Sequence, residues 1–218
     1  MINPSKPEPR IAEALRDLKE RKNVEFKPSL PWPSGEQKLK RSYKAQEVIR
    51  SILGMSNIRN GGLIILGVKR NRTTKKHFRE GMKKADLEIY DPDQIFDCVR
   101  NYGSPEPRFE VKNIQYEKKY FIVFVIQDFL YSPIICRNNK KIKKLANGAI
   151  YIRTHKPETK KIGTEEEMRE VIDLAVEKEL DLFSGRLQRF LKSISLVKIP
   201  KTQISDIQKF KTEIGDVI

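Results

Sequence analysis

The chain has 218 residues, carries 44 Lys and Arg against 29 Asp and Glu for a net charge of +15, and is 38% hydrophobic. That content supports one core with an appended segment and is thin for two, while the dense apolar runs at Gly62–Val68 and Tyr120–Ile126 exclude a disordered chain. No run approaches the roughly 18 to 20 apolar residues of a membrane span, the first nine residues lack an apolar signal core, and Cys98 and Cys136 sit in no CxxC or Cys/His pattern. The expectation is an unsecreted protein of the cytoplasm, nucleoid or nucleus, with no membrane partner, no disulfide framework and no zinc site.

Residues 1–10 contain three prolines and no apolar pattern, and read as an arm. From Ile11 the spacing predicts a helix with Leu15 and Leu18 on one face, ending in the charged run Lys19–Asn23 and so placing Glu20 in its last turn. Val24-Glu25-Phe26-Lys27 alternates as a short half-buried strand, and the proline-rich stretch Pro28–Glu36 is a loop. Tyr43–Ile58 is a helix with a broad apolar face, stopped by Asn57-Ile-Arg-Asn-Gly-Gly. Leu63–Val68 is a buried strand, too short for a helix. Arg70–Glu80 reads as a hairpin loop or excursion, and Asp91-Pro92 caps a helix ending near Gly103. Arg108–Gln127 is a pair of antiparallel strands around Glu117-Lys118-Lys119. Short strands follow at Pro133–Arg137 and Ala149–Arg153, with a basic turn between them. Thr164 with Glu165, Glu166 and Glu167 opens a helix to about Lys178. A second helix is expected over Asp181–Ile194, and a weak helical pattern runs around Ile204–Phe210. The division read from this pattern is an arm over 1–10, a domain over 11–178 and a helical extension over 179–218.

Charge is segregated along the chain. Between Lys38 and Lys84 fourteen basic residues face only Glu47 and Glu80, and between Arg137 and Lys161 nine face only Glu158. Together these blocks exceed the charge of the whole chain, so the remainder is net acidic. Thermal adaptation mixes both signs in ion-pair networks, whereas segregation builds a field that attracts a polyanion, of which nucleic acid is the obvious one. The expected contacts are Lys38, Lys40, Arg41, Lys44, Lys69, Arg70, Arg72, Lys75, Lys76 and Arg153. Trp32 is read either as an exposed base-stacking aromatic or as a small satellite core.

Four pieces occur in order: Glu20-x4-Glu25-Phe26-Lys27, a helix closing with Asn60-Gly61-Gly62, the strand Leu63–Val68 with its Gly67-Val68, and Gly148-Ala-Ile-Tyr151-Ile-Arg153 before an acid-capped helix. This ordered set resembles the Schlafen-type AlbA_2 domain, also labelled divergent AAA-4, over about residues 12 to 178. The resemblance implies an α/β (α+β) fold: a mixed, mainly antiparallel sheet flanked by helices, with a basic nucleic-acid surface, here followed by the C-terminal helical extension. The ATP-binding label finds no Walker P-loop in this chain.

In the nuclease branch of that family two glutamates five apart and a downstream aspartate bind a divalent metal and cleave RNA. Glu20 and Glu25 match the two glutamates in type and spacing, which would make them catalytic and metal-binding residues holding Mg²⁺ or Mn²⁺. Carboxylates around such an ion neutralise a phosphate and activate a water. The aspartate expected after Gly67-Val68 is replaced by Lys69-Arg70-Asn71, a departure that favours grip over cleavage, although Asp86 or Asp128 could complete a site. Both glutamates are equally readable as ion-pair partners in a basic chain. The reading is therefore a nucleic-acid-binding protein that holds the phosphate backbone with little sequence preference and needs no cofactor to bind. The alternatives are a metal-dependent endoribonuclease acting on structured RNA such as tRNA, and an interaction module of a defence or regulatory assembly whose 181–218 extension is a homodimer or partner surface.

Overall fold

The computed structural model describes residues 4–33, 35–138 and 142–196. The pattern expected around Ile204–Phe210, and the last part of the extension, lie outside them. The chain divides into two compact units, Met1–Val176 and Glu177–Ile218.

The elements run α1 (Pro9–Asp17), β1 (Val24–Lys27), α2 (Glu36–Arg41), α3 (Tyr43–Ser56), β2 (Gly62–Leu66), β3 (Val68–Arg70), β4 (His77–Arg79), a 3-10 turn (Lys84–Ile89), α4 (Pro92–Arg100), β5 (Gly103–Ser104), β6 (Phe109–Tyr116), β7 (Lys119–Ile126), β8 (Ile135–Cys136), β9 (Tyr151–Arg153), β10 (Thr159–Lys161) and α5 (Glu165–Leu196). The principal sheet has the order β1-β2-β7-β6, with β1 parallel to β2 and the other pairs antiparallel. Three two-stranded pieces accompany it: β3-β4, β5-β8 and β9-β10. The fold is thus mixed α/β, its sheet mainly antiparallel and flanked by helices, as expected.

Both faces of the sheet are covered, which explains the unbroken apolar run of β2. Leu63 and Ile65 join Phe121 and Val123 beneath Ile11 and Leu15 of α1. Ile64 and Leu66 join Ile122, Phe124 and Ile126 in the larger core with Val48, Ile49 and Ile52 of α3. A period of two along each strand delivers alternate residues to the two layers. Trp32 is buried in the larger core, 5.9 Å from the Phe124 ring, and is neither exposed nor in a satellite core of its own.

Several details depart from the sequence pattern. α1 stops at Asp17 because Leu18 adopts a left-handed conformation (φ 51°), so Glu20 lies beyond the helix and not in its last turn. The additional short helix α2 follows the proline-rich loop, and neither it nor β10 was foreseen. The two C-terminal helices are one, α5, because nothing between Lys178 and Asp181 breaks it: the linking residues Glu179 and Leu180 are good helix formers. Its N-terminus follows expectation, with the Thr164 hydroxyl accepting from Glu167 N at 3.3 Å. Cys98 and Cys136 form no disulfide, and burial pushes the Cys136 thiol up to about 11.

The turn after α3 is held by buried polar groups. Asn57 donates from Nδ2 to the carbonyls of Ile134 and Tyr151, each at 2.9 Å, and accepts from Ile134 N at 2.7 Å. It thereby pins the β8 and β9 segments to the end of α3. Gly61, at φ +56°, approaches the next strand so closely that an added Cβ would lie 2.0 Å from the Ile126 carbonyl oxygen. That backbone contact and the positive φ account for this glycine. Substituting Asn57 by alanine orphans two buried carbonyls and an N–H, and is expected to cost about 2 to 3 kcal/mol in urea unfolding. A loss below about 0.5 kcal/mol would contradict that role.

Candidate nucleic-acid interface

The two family-type glutamates occupy different surroundings. Glu25 alternates with Val24 and Phe26 and so faces away from the α1 layer. It is 8% exposed and has both carboxylate oxygens engaged. Oε1 lies 2.8 Å from Lys27 Nζ, and Oε2 accepts from Arg153 Nη1 at 2.9 Å. Arg153, 1% exposed, also donates to Thr159 Oγ1 at 3.3 Å and to the Lys22 carbonyl at 3.2 Å. Burial pulls its guanidinium down from the ordinary value, opposed by Glu25, Glu20 and Glu158. A guanidinium titrates so high that it nonetheless stays charged.

The expectation that Arg153 contacts phosphate is therefore corrected. Strand β9 packs on α3 and is buried throughout: Tyr151 is buried with Arg153, its hydroxyl accepting from Ala146 N at 2.8 Å. Glu20 is engaged elsewhere. Its Oε1 accepts from Phe26 N at 3.3 Å, and its Oε2 lies 4.0 Å from His77 Nε2. Of the carboxylates that might complete a metal set, Asp128 accepts from Asn60 N at 3.0 Å. Among the described residues no group of three or more His, Cys, Asp or Glu is placed to hold a metal ion. Each Glu25 oxygen thus already faces one cation, and a divalent ion there would have to compete with Arg153 and Lys27.

The other nine predicted basic residues are all exposed, and the structure gathers them in two places. The first is the junction of α2 and α3. Lys38, Lys40 and Arg41 lie in the last turn of α2, where cations suit the helix dipole, and Lys44 opens α3. Gln46, fully buried, donates from Nε2 to the Leu39 and Lys40 carbonyls at 2.8 and 3.0 Å. Its Oε1 accepts from Lys144 N at 3.2 Å. One amide thus caps α2 and ties the second basic block of the sequence to the first. Between them stands Tyr43, 46% exposed, with the Nζ atoms of Lys143 and Lys144 each 5.8 Å from its ring centroid.

The second place is the β3-β4 hairpin. Lys69 pairs across it with Phe78, so an exposed aromatic (41%) and a lysine share one face. Arg70 Nε donates to the Lys75 carbonyl at 3.0 Å, and Asn71 Oδ1 accepts from Thr73 N and Thr74 N, which shapes the loop carrying Arg72, Lys75 and Lys76. Arg79 anchors the hairpin, donating to the Leu15 carbonyl at 2.8 Å and lying over the Tyr116 ring at 5.6 Å.

Tyr43, Phe78, Lys143, Lys144 and Gln46 were missed as site residues by sequence reasoning. The available signal was an aromatic set among lysines, as in Arg41-Ser-Tyr43-Lys44 and Lys76-His-Phe78-Arg79.

A family model described as "Schlafen, AlbA_2" matches residues 20–163. No curated protein matches the chain. The similar solved structures include two at low identity. The DIP2311 protein of Corynebacterium diphtheriae is 12% identical with a TM-score of 0.42, over 72% of this chain and 27% of that one. The N-terminal domain of a RecG-related protein of Nitrosomonas europaea is 16% identical with a TM-score of 0.41, over 71% of this chain and 92% of that one.

Proposed function

Because this chain belongs to the Schlafen AlbA_2 family, we propose that it binds nucleic acid by gripping the phosphate backbone, with unpaired bases stacking on aromatics set within the basic clusters. The observation that carries this reading is Tyr43, exposed and flanked by Lys143 and Lys144 beside Lys40, Arg41 and Lys44. Lysines on flexible stems pair with phosphates whatever the sequence, and an aromatic face accepts any base. Binding of this kind needs no metal and has little sequence preference. What favours this reading over the nuclease alternative is that both Glu25 oxygens face cations, Lys27 and Arg153.

The test is a salt titration of affinity for a single-stranded oligonucleotide and for a blunt duplex. The logarithm of the binding constant is expected to fall with the logarithm of salt at a slope of about −3 or steeper, and salt-independent binding or none at low salt would sink the proposal. Tyr43→Ala is expected to weaken single-strand binding about fivefold or more while leaving the duplex nearly unchanged, with Tyr43→Phe close to wild type. Equal losses on both ligands would remove the stacking role and leave the phosphate grip standing.

A further inference from the structure

Within the unit Glu177–Ile218, the described part of α5 exposes Leu180 (62%), Phe183 (63%), Leu187 (44%) and Phe190 (59%). Their spacing of three, four and three residues draws one stripe along a helix, the repeat of a coiled-coil seam. Soluble chains rarely leave such a stripe to water. The helix is also weakened within this stretch by Gly185, around which a Cβ would meet nothing within 4 Å. An exposed glycine of this kind costs about 1 kcal/mol relative to alanine, so the segment gains from a partner.

Two features identify that partner. The stripe is symmetric about position 185. Reversing the chain direction carries Leu180 onto Phe190 and Phe183 onto Leu187, so each layer of an antiparallel pair would join one leucine to one phenylalanine. The flanking charge is opposite in net sign on the two sides: Glu177, Lys178, Glu179 and Asp181 before the midpoint are net acidic, and Arg186, Arg189 and Lys192 after it are basic. An antiparallel pairing sets the acidic half of one helix beside the basic half of the other, whereas a parallel pairing sets like against like.

We propose that the stripe is an isologous dimer seam, occupied by the same helix of a second copy of this chain running antiparallel. A two-fold axis near residue 185 makes every contact occur twice, with Leu180 against the partner's Phe190 and Phe183 against the partner's Leu187. Dimerisation would give one particle two copies of each basic cluster and so raise its avidity for a long polyanion.

The test is sedimentation equilibrium on the full chain without nucleic acid, so its outcome is independent of the binding proposal. The expected result is a concentration-dependent dimer that Phe183→Glu converts to monomer with an unchanged helical circular dichroism signal. Orientation is read on a Cys98→Ser background: Leu180→Cys and Phe190→Cys proteins, mixed and oxidised, should give the mixed disulfide, and neither alone should give its own. A monomer throughout the concentration range would overturn the proposal, whether residues 197–218 or another protein then covers the stripe. So would a dimer unaffected by Phe183→Glu, or crosslinking of Leu180→Cys to itself.

Discussion

Replacing Glu25 by glutamine is expected to remove about 3 to 5 kcal/mol of folding stability, because it leaves the Arg153 guanidinium buried without its counter-ion. For a chain of this size that corresponds to a fall of about 6 to 20 °C in the thermal midpoint. Arg153→Met should cost less, since Lys27 still neutralises Glu25 at 2.8 Å. Replacing both, as Glu25→Leu with Arg153→Met, should recover much of the loss, because an apolar pair has no desolvation penalty to offset. Calorimetry on the three variants decides the matter: if Glu25→Gln shifts the midpoint by less than about 2 °C, the pair is not a structural ion bridge. The consequence reaches into function. Loss of any cutting activity in Glu25→Gln could be ascribed to a metal ligand only after correcting for the unfolded fraction. Glu20→Gln, whose amide oxygen can still accept from Phe26 N, is the cleaner probe of that chemistry.

Much of the fold was legible because local pattern and tertiary context agree. The alternation through β6 and β7, the Asp91-Pro92 cap and the Thr164 N-cap each rest on neighbours in sequence. The family resemblance was legible for the same reason, since its motifs mark the ends of elements. What could not be read was which face of an element another element covers. Tyr151 and Arg153 alternate as a solvated strand would, and only the packing of β9 on α3 turns both inward. Glu25 looks identical in sequence whether it meets a metal ion or a guanidinium, because its partner lies 128 residues away. The basic clusters were legible as charge but not as places. Gln46, which joins α2 to the turn holding Lys143 and Lys144, is an unremarked residue in an apolar helix face until its three hydrogen bonds are seen.

Removing Lys40, Arg41 and Lys44 together, as alanines, should flatten the salt dependence of binding by up to about 3 in slope, at about 0.9 for each phosphate no longer neutralised. The fall in affinity should accordingly be largest at low salt and shrink as salt rises. Retention of the full slope would show that these residues do not meet phosphate. The companion variant separates a fixed site from a diffuse field. Gln46→Leu keeps every charge but removes the amide that caps α2 and holds Lys144 N. If only the net charge of +15 mattered, this variant would bind like wild type. If the arrangement around Tyr43 is what grips a strand, Gln46→Leu should weaken single-strand binding severalfold, because cations left flexible must be ordered at the moment of binding. The same three-alanine experiment on Arg72, Lys75 and Lys76 tells whether one strand engages both clusters. If it does, either triple variant should weaken binding of a long strand far more than of a strand too short to span the two, since each cluster holds a long strand near the other at high effective concentration.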